Sequence, residues 1–278
     1  LKRAGRNFKA CCPFHNEKTP SFVVSSDKQI YHCFGCGAGG NVIGFIMQYD
    51  SLTFPEALKV LADRANITLP KISGDEMNGE AEEIKRIIEL NTMAADYYQA
   101  NLRTPRAAKA VEYLKKRGIS PASLSEFRIG LAPDEWDGLK RYCASKGVSQ
   151  TSLREAGLLV ESEKGKGDYD RFRNRIIFPI FNEKGSVVAF GARVMDDSLP
   201  KYINSPETKV YTKSGVMYGL NFAKKDIKDK GYAIIVEGYL DVVIPFQYGV
   251  KNVVAASGTA LTERHASLLK RYTDTVVM

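Results

Sequence analysis

The chain has 278 residues, of which 44% are hydrophobic and 26% charged, with a formal net charge of +8 and five cysteines. That length can bury more than one core, with about two domains as the prior, and the excess of cations leans towards an anionic partner such as nucleic acid. No signal peptide or membrane-spanning apolar run is visible, and cysteines are too sparse for a disulfide framework, so the expectation is a cytoplasmic protein with reduced thiols. Because the chain begins at Leu1 and stops at Met278 inside an apolar run, we expect a fragment of a longer protein.

Residues 1–10 are basic, with Phe8 as their aromatic residue. They lead into 11–37, CCPFHNEKTPSFVVSSDKQIYHCFGCG, where Cys12 and His15 are separated by two residues and Cys33 and Cys36 likewise. Two such pairs match the Cys3His tetrahedron of a structural zinc ribbon, in which a turn brings ligands at i and i+3 onto one metal. Gly35 and Gly37 fit knuckles that wrap a thiolate. Cys11 and His32 could compete, but each breaks the symmetry of one pair, so the expected ligands are Cys12, His15, Cys33 and Cys36. SFVV and QIYHCF read as ribbon strands joined by SSDK, with Phe14, Phe22 and Phe34 expected in the core. Tyr31 and the cations Lys2, Arg3, Arg6, Lys9, Lys18 and Lys28 are left as candidates for nucleic acid, where stacking is worth about 1–3 kcal/mol per base. NVIGFIMQY and PEALKVLADRA follow with helical spacing, Thr53 being a plausible cap.

CPFHNEKTPSF followed by YHCFGCGAGGN resembles the zinc-binding domain of bacterial replicative DNA primases of the DnaG type. The resemblance implies that this module helps recognise the template initiation site.

PKISGDEMNGEAE, residues 70–82, has a proline, two glycines and acidic residues without apolar periodicity, and reads as a linker. From 83, IKRIIELNTMAADYYQANL and AAKAVEYLKKRG are helical, with Gly118 as the stop. ISPASLSEFRIGLAP reads as a capped helix and a strand, and WDGLKRYCASKG and TSLREAGL as further helices. Trp136 and Tyr142 are expected in the core, and Cys143 as a small buried hydrophobe.

IIFPIF and SVVAFGARV are two strands joined by NEKG. Just before them Arg171, Arg173 and Arg175 alternate, so in an extended chain they project to one face. Arginines gathered there suit phosphate, which they grip bidentately; a solvated basic edge strand is the other reading. Lys201, Tyr202 and Asn204 in PKYINSPET and Lys213 in VYTKSG lack periodicity and point to a loop. Similarity to the primase family implies that Arg171, Arg173, Arg175, Lys201, Tyr202, Asn204 and Lys213 line the basic groove for template and incoming nucleotide. YGLNFAKKDI closes the segment as a helix.

YAIIVEGYLDVVIPFQYG places Glu237 and Gly238 at the end of an apolar strand and Asp241 on the next helix. NVVAASGTALTERHASLLKRY adds a strand, glycine turn and helix, and DTVVM starts a third strand, giving a parallel βαβαβ pattern. Functional groups in such sheets collect beyond the carboxyl ends of strands, and Mg²⁺ takes carboxylate oxygens together with phosphates and waters. A glutamate there could also simply cap the next helix. The segment resembles the Toprim domain of primases and topoisomerases, which implies that Glu237 and Asp241 are metal-binding and catalytic. The family's further Asp-x-Asp pair does not occur before Met278, so the fragment alone is expected to be inactive. Ser257, Gly258 and Thr259 could contact phosphate through backbone amides or merely form a tight turn. His265 is expected at the surface.

The reading is thus an α+β multidomain chain. A zinc-ribbon DNA-binding domain over 1–69 and a linker over 70–82 precede a mixed α/β core over 83–230, and an incomplete Rossmann-like Toprim sheet starts at 231 and runs to 278. The resemblance implies a nucleotidyltransferase, a DNA-templated RNA polymerase making short primers de novo. Its cofactors would be one structural Zn²⁺ and catalytic Mg²⁺ or Mn²⁺. Its partners would be single-stranded DNA, ribonucleoside triphosphates and a replicative helicase, with no membrane and the chain a monomer. A Toprim nuclease or topoisomerase and a noncatalytic zinc-dependent DNA-binding fragment are the alternatives.

Overall fold

A computed structural model describes residues 1–50, 52, 54–67, 74–162, 167–256, 258 and 260–278. The chain divides into two compact units, Leu1–Glu76 and Met77–Met278.

In the first unit, β1 (Lys2–Ala4), β2 (Asn7–Ala10), β3 (Phe22–Ser25), β4 (Ile30–Cys33) and β5 (Gly39–Gly40) form an antiparallel meander in sequence order, followed by α1 (Val42–Tyr49) and α2 (Phe54–Ala65). The ribbon strands fall where the alternation places them. Asn41 caps α1, its Oδ1 accepting the Gly44 N–H at 2.9 Å, as an Asx residue at a helix start does. The expected Thr53 cap lies outside the described residues.

Two aromatic assignments are corrected. Tyr31 is buried with Phe14, Phe22 and Phe45, their ring centroids 5.3–6.2 Å apart, and its hydroxyl donates to Gln48 Oε1 at 3.3 Å. Phe34, expected in the core, is 74% exposed. On β4 burial alternates, so Tyr31 and Cys33 face inward while Ile30 and His32 face out; Phe34 follows in the outward register.

Helix α3 runs Gly74–Leu102, with all but its first three residues in the second unit, so the stretch read as a linker is helical from Gly74 onward. Its glycines cost a helix only about 1 kcal/mol each, and the glutamates and alanine around them are helix formers. Then come α4 (Ala108–Lys116), α5 (Pro121–Glu126), β6 (Gly130–Ala132), α6 (Gly138–Ala144), α7 (Gln150–Glu155), β7 (Leu159–Val160), β8 (Tyr169–Asp170), β9 (Arg175–Phe181), β10 (Val187–Arg193) and β11 (Tyr202–Asn204). The last stretch holds α8 (Leu220–Lys230), β12 (Ala233–Val236), α9 (Tyr239–Gln247), β13 (Val253–Ala255), α10 (Glu263–Leu269) and β14 (Val276–Val277).

An antiparallel sheet of order β11-β10-β9-β6 forms the centre. Both its faces are covered, which is why β9 and β10 read as continuous apolar runs. Ile176, Phe178 and Ile180 pack with residues of α4, α5 and α9, while Ile177, Phe190 and Ala192 pack with α3, α6 and α7. Tyr239, Leu240, Val242, Val243 and Phe246 of α9 share a core with Phe127, Ile129 and Phe178, so the C-terminal segment is fused to the central sheet through a common interior. Cys143 is fully buried, and burial pushes its thiol up to about 11.

Trp136 corrects another expectation: it is 65% exposed, held by the Arg173 guanidinium 4.1 Å from its ring centroid. Tyr142 is half-buried against Tyr97, ring centroids 4.9 Å apart. Among the described residues no helix is long and apolar enough to cross a membrane, and all five cysteines are free.

Candidate functional site

The Sγ atoms of Cys12, Cys33 and Cys36 and a ring nitrogen of His15 lie within 4.8 Å of one another, the one such group of three or more metal-capable side chains among the described residues. Cys12 Sγ is 3.9 Å from Cys36 Sγ, and Cys33 Sγ is 3.8 Å from His15 Nδ1. Zinc–sulfur bonds of about 2.3 Å at tetrahedral angles put two sulfurs about 3.8 Å apart, so the donor set fits the ion. Cys11 and His32 are exposed and outside the cluster.

Burial works against a Cys33 thiolate, but the N–H groups of Cys36 and Gly35 favour it, and the thiol lies below its ordinary value. The knuckle needs Gly35 because a Cβ there would sit 2.7 Å from His15 Nε2 and 2.8 Å from Ser21 Oγ.

Glu17 was not singled out by spacing. Its Oε2 lies 3.3 Å from His15 Nε2, while Oε1 accepts the Cys12 N–H at 2.7 Å and the Ser21 N–H at 3.0 Å. The Ser21 hydroxyl also donates to Glu17, and that bond leads in holding its carboxyl below the ordinary value. A carboxylate on the far nitrogen of a metal-binding histidine fixes its tautomer and ring orientation. The available signal was an acid two positions after the histidine.

The arginine expectation is corrected. Strand β9 starts only at Arg175, and Asn174 has φ +48, so the alternation of Arg171 and Arg173 with Arg175 is broken and the three do not share a strand face. Arg171 Nε donates to the Gly157 carbonyl at 2.9 Å, and burial pulls its pKa below the ordinary value. Arg173 stacks on Trp136 and, at 4.9 Å, on Tyr169, and donates to the Asp170 carbonyl. Arg175 Nη1 donates to the Pro200 carbonyl at 2.9 Å. Replacing Arg171 with alanine should therefore cost about 1.5–3 kcal/mol of unfolding free energy, the scale of a hydrogen bond from a charged group, in a denaturant titration.

Tyr202 and Asn204 form the edge strand β11 against β10 rather than a loop, whereas Lys201 and Lys213 are exposed. The sequence reading passed over Arg193: it ends β10 at 6% exposure and donates to the hydroxyls of Tyr113 and Tyr202. A cation closing an otherwise apolar, wholly buried strand was the signal.

In the parallel sheet β12 is central, with β13 on one side and β14 on the other. Chain connections leave a central strand in opposite directions, which opens a crevice at the carboxyl ends of β12 and β14. Exposed Glu237 directly follows β12. Asp241 Oδ2 accepts the Gly238 N–H at 3.1 Å, so that carboxylate closes the first turn of α9. Tyr239, next to Gly238, donates its hydroxyl to Asn204 Oδ1 at 2.7 Å, and a Cβ on Gly258 would lie 3.3 Å from Asn204 Nδ2. Asn204 is thus where the edge strand meets the residues that follow β12 and β13. Ser257 and Thr259 lie outside the described residues. His265, expected at the surface, is fully buried.

Residues 1–77 match the CHC2 zinc finger, 97–224 the DNA primase catalytic core, N-terminal domain, and 231–278 the Toprim domain. The zinc-finger match and the Cys3His cluster make zinc the metal of the ribbon, and the Toprim match brings Mg²⁺ as that domain's usual ion. The DNA primase of Clostridium acetobutylicum is 50% identical over 279 residues, taking in all of this chain and 46% of the relative. That of Escherichia coli K12 is 44% identical over 278 residues, all of this chain and 48% of the relative. The chain therefore spans about half the length of the curated relatives it matches. Among solved structures, the Aquifex aeolicus primase zinc-binding and RNA polymerase domains superpose at TM-score 0.63 and 38% identity over 99% of this chain and 66% of that one. A DnaG primase catalytic domain bound to single-stranded DNA gives 0.65 and 40% over 70% and 61%. With three family matches laid end to end along nearly its whole length, the chain belongs to the DnaG-type bacterial DNA primases.

Proposed function

We propose that this chain is the template-reading and nucleotide-binding half of a DNA-templated RNA polymerase that makes short primers de novo on single-stranded DNA. The observation that carries the reading is the junction at Asn204. The polar edge of β11, with Lys201 beside it, is tied by the Asn204–Tyr239 hydrogen bond to the start of α9, two residues after Glu237 at the end of β12. The domain division we favour is a ribbon over 1–69, a connection over 70–82, a core over 83–230 and the start of the Toprim segment from 231.

In this mechanism Lys201, Tyr202, Asn204 and Lys213, together with Arg173 and Arg175, hold template and nucleoside triphosphate phosphates, and Arg171 braces the segment from behind. Glu237 is the first metal-holding carboxylate and Asp241 the second, the latter also capping α9. Mg²⁺ bound there would neutralise charge developing as a primer 3′-hydroxyl displaces pyrophosphate from the α-phosphate. On the ribbon, Lys2 and Lys9 face each other across β1 and β2; like charges directly opposite repel, which suits a site that receives an anionic strand. The reading includes a replicative helicase partner and a place at the cytoplasmic replication fork, and membership of the family supports both.

The test compares the chain with a version extended through the rest of the Toprim domain, each given single-stranded template, Mg²⁺ and labelled ribonucleoside triphosphates. De novo RNA from the extended form is expected. Strand cleavage would point to a Toprim nuclease or topoisomerase, and binding without synthesis to a noncatalytic DNA-binding protein; either overturns the reading. For template binding, replacing exposed Lys201 with alanine should make the slope of log affinity against log salt shallower by about 0.7 per lost phosphate contact on single strands.

A further inference from the structure

His265 has no exposed surface, although it stands in the first turn of the short helix α10. Its backbone N–H donates to Thr262 Oγ1 at 3.3 Å, and the Thr262 N–H donates back to His265 Nδ1 at 3.3 Å. This reciprocal cap closes the start of α10. Because Nδ1 accepts, the ring proton belongs on Nε2. The cap makes no use of that nitrogen. It lies 3.0 Å from the carbonyl oxygen of Lys213, in the 3₁₀ turn Lys213–Gly215.

The backbone of Lys213 is held from its other side too, since its N–H donates to Glu207 Oε1 at 3.1 Å. The peptide groups flanking its Cα are therefore pinned to two separate elements while the side chain stays exposed. A lysine has a long, flexible stem; fixing where that stem begins narrows the volume its ammonium explores and lowers the ordering cost of meeting a phosphate. A histidine that served the helix alone would need one nitrogen, and here the second is spent on a residue of the proposed groove.

We propose that His265 is a positioning residue that, through Nε2–H, fixes the backbone of Lys213 so that the lysine ammonium is presented to a phosphate group of the template strand or of the incoming nucleotide. The proposal rests on the reading of Lys213 as a groove residue.

Four forms of the chain test it: His265→Asn, His265→Gln, Lys213→Ala and the His265→Asn/Lys213→Ala pair. The probes are a fluorescein-labelled oligothymidylate and, separately, ATP with Mg²⁺. The asparagine can keep a partner for Thr262 but is too short to reach Lys213, whereas the glutamine amide extends to the position of Nε2. His265→Asn should weaken one probe about fivefold, within the range of a lost positioned hydrogen bond. His265→Gln should restore most of that affinity, and the pair should be no weaker than Lys213→Ala alone. Whichever probe loses affinity identifies the source of the phosphate. If Lys213→Ala leaves both probes unchanged, the groove reading of Lys213 is what fails, and the proposal with it. If Lys213→Ala weakens binding but His265→Asn does not, or the two His265 variants are equally impaired, or the pair is weaker than Lys213→Ala alone, the positioning role alone is overturned. Ring ¹⁵N shifts of His265 in the unaltered chain supply a check that does not depend on any variant folding. The Nε2–H tautomer is expected, and the Nδ1–H tautomer would sink the proposal.

Discussion

Replacing Cys36 with serine should strip zinc from the ribbon and unfold the first unit, leaving the second unit's unfolding transition where it was. Cys36 is exposed, so the substitution removes no packing and isolates metal ligation. Small structural zinc sites contribute about 10–16 kcal/mol of apparent binding free energy, and the core beneath this one is a handful of residues around Cys12, Phe22, Tyr31 and Cys33. A core of that size does not hold a fold alone. Zinc content measured with a colorimetric chelator should fall from about one ion per chain to none, with circular dichroism showing loss of the ribbon strands. Cys11→Ser is the control: that thiol stands outside the cluster, and zinc content should not change. Retention of zinc by the Cys36 variant would refute the ligand set.

The second large effect is expected at Gly191, in the middle of β10. A Cβ at this position would clash with the hydroxyl end of the Tyr239 ring. That ring cannot step aside cheaply, because it stacks on Phe178 with centroids 5.0 Å apart and planes within 9° and its hydroxyl is bonded to Asn204. Nor can β10 retreat, being paired on both edges. Overpacking of such a site costs about 1–3 kcal/mol or more, and Gly191→Ala should reach at least the upper part of that range. In a unit of this size that lowers the melting temperature by about 2–4 °C per kcal/mol. Adding Tyr239→Ala should recover part of the loss attributable to the clash, which a double-mutant cycle reads directly. If Gly191→Ala melts with the unaltered chain, Tyr239 does not lie against that strand. Any loss of the proposed template binding that accompanies the clash would travel through Asn204, which joins the sheet edge to Tyr239.

The zinc ligands were legible because a metal site imposes local rules. Two residues between paired donors suffice to bring both onto one ion, whatever lies elsewhere in the chain. Strands β9, β10, β12 and β13 were legible for a similar reason: an apolar run bounded by turn residues leaves few alternatives. Burial of individual aromatics was another matter. Phe34 and Tyr31 are three positions apart, and which of them goes inside depends on the register of β4, an assignment made by pairing with β3 and β5. The arginine run failed on one residue, because the positive φ of Asn174 interrupts the alternation that a continuous strand would have kept.

What the sequence by itself determined is therefore whatever is carried by short-range geometry: the Cys3His set, the order of strands along the chain, and the family to which these motifs belong. Only the tertiary structure decided where side chains distant in sequence meet. It assigned Glu17 to His15, turned Arg171 inward to Gly157, stacked Arg173 on Trp136, brought Asn204 to Tyr239 at the strand ends, and set His265 against the carbonyl of Lys213. The physical reason is that hydrogen-bond and packing partners are chosen by distance in space, and the chain path that sets those distances is fixed by the whole core at once.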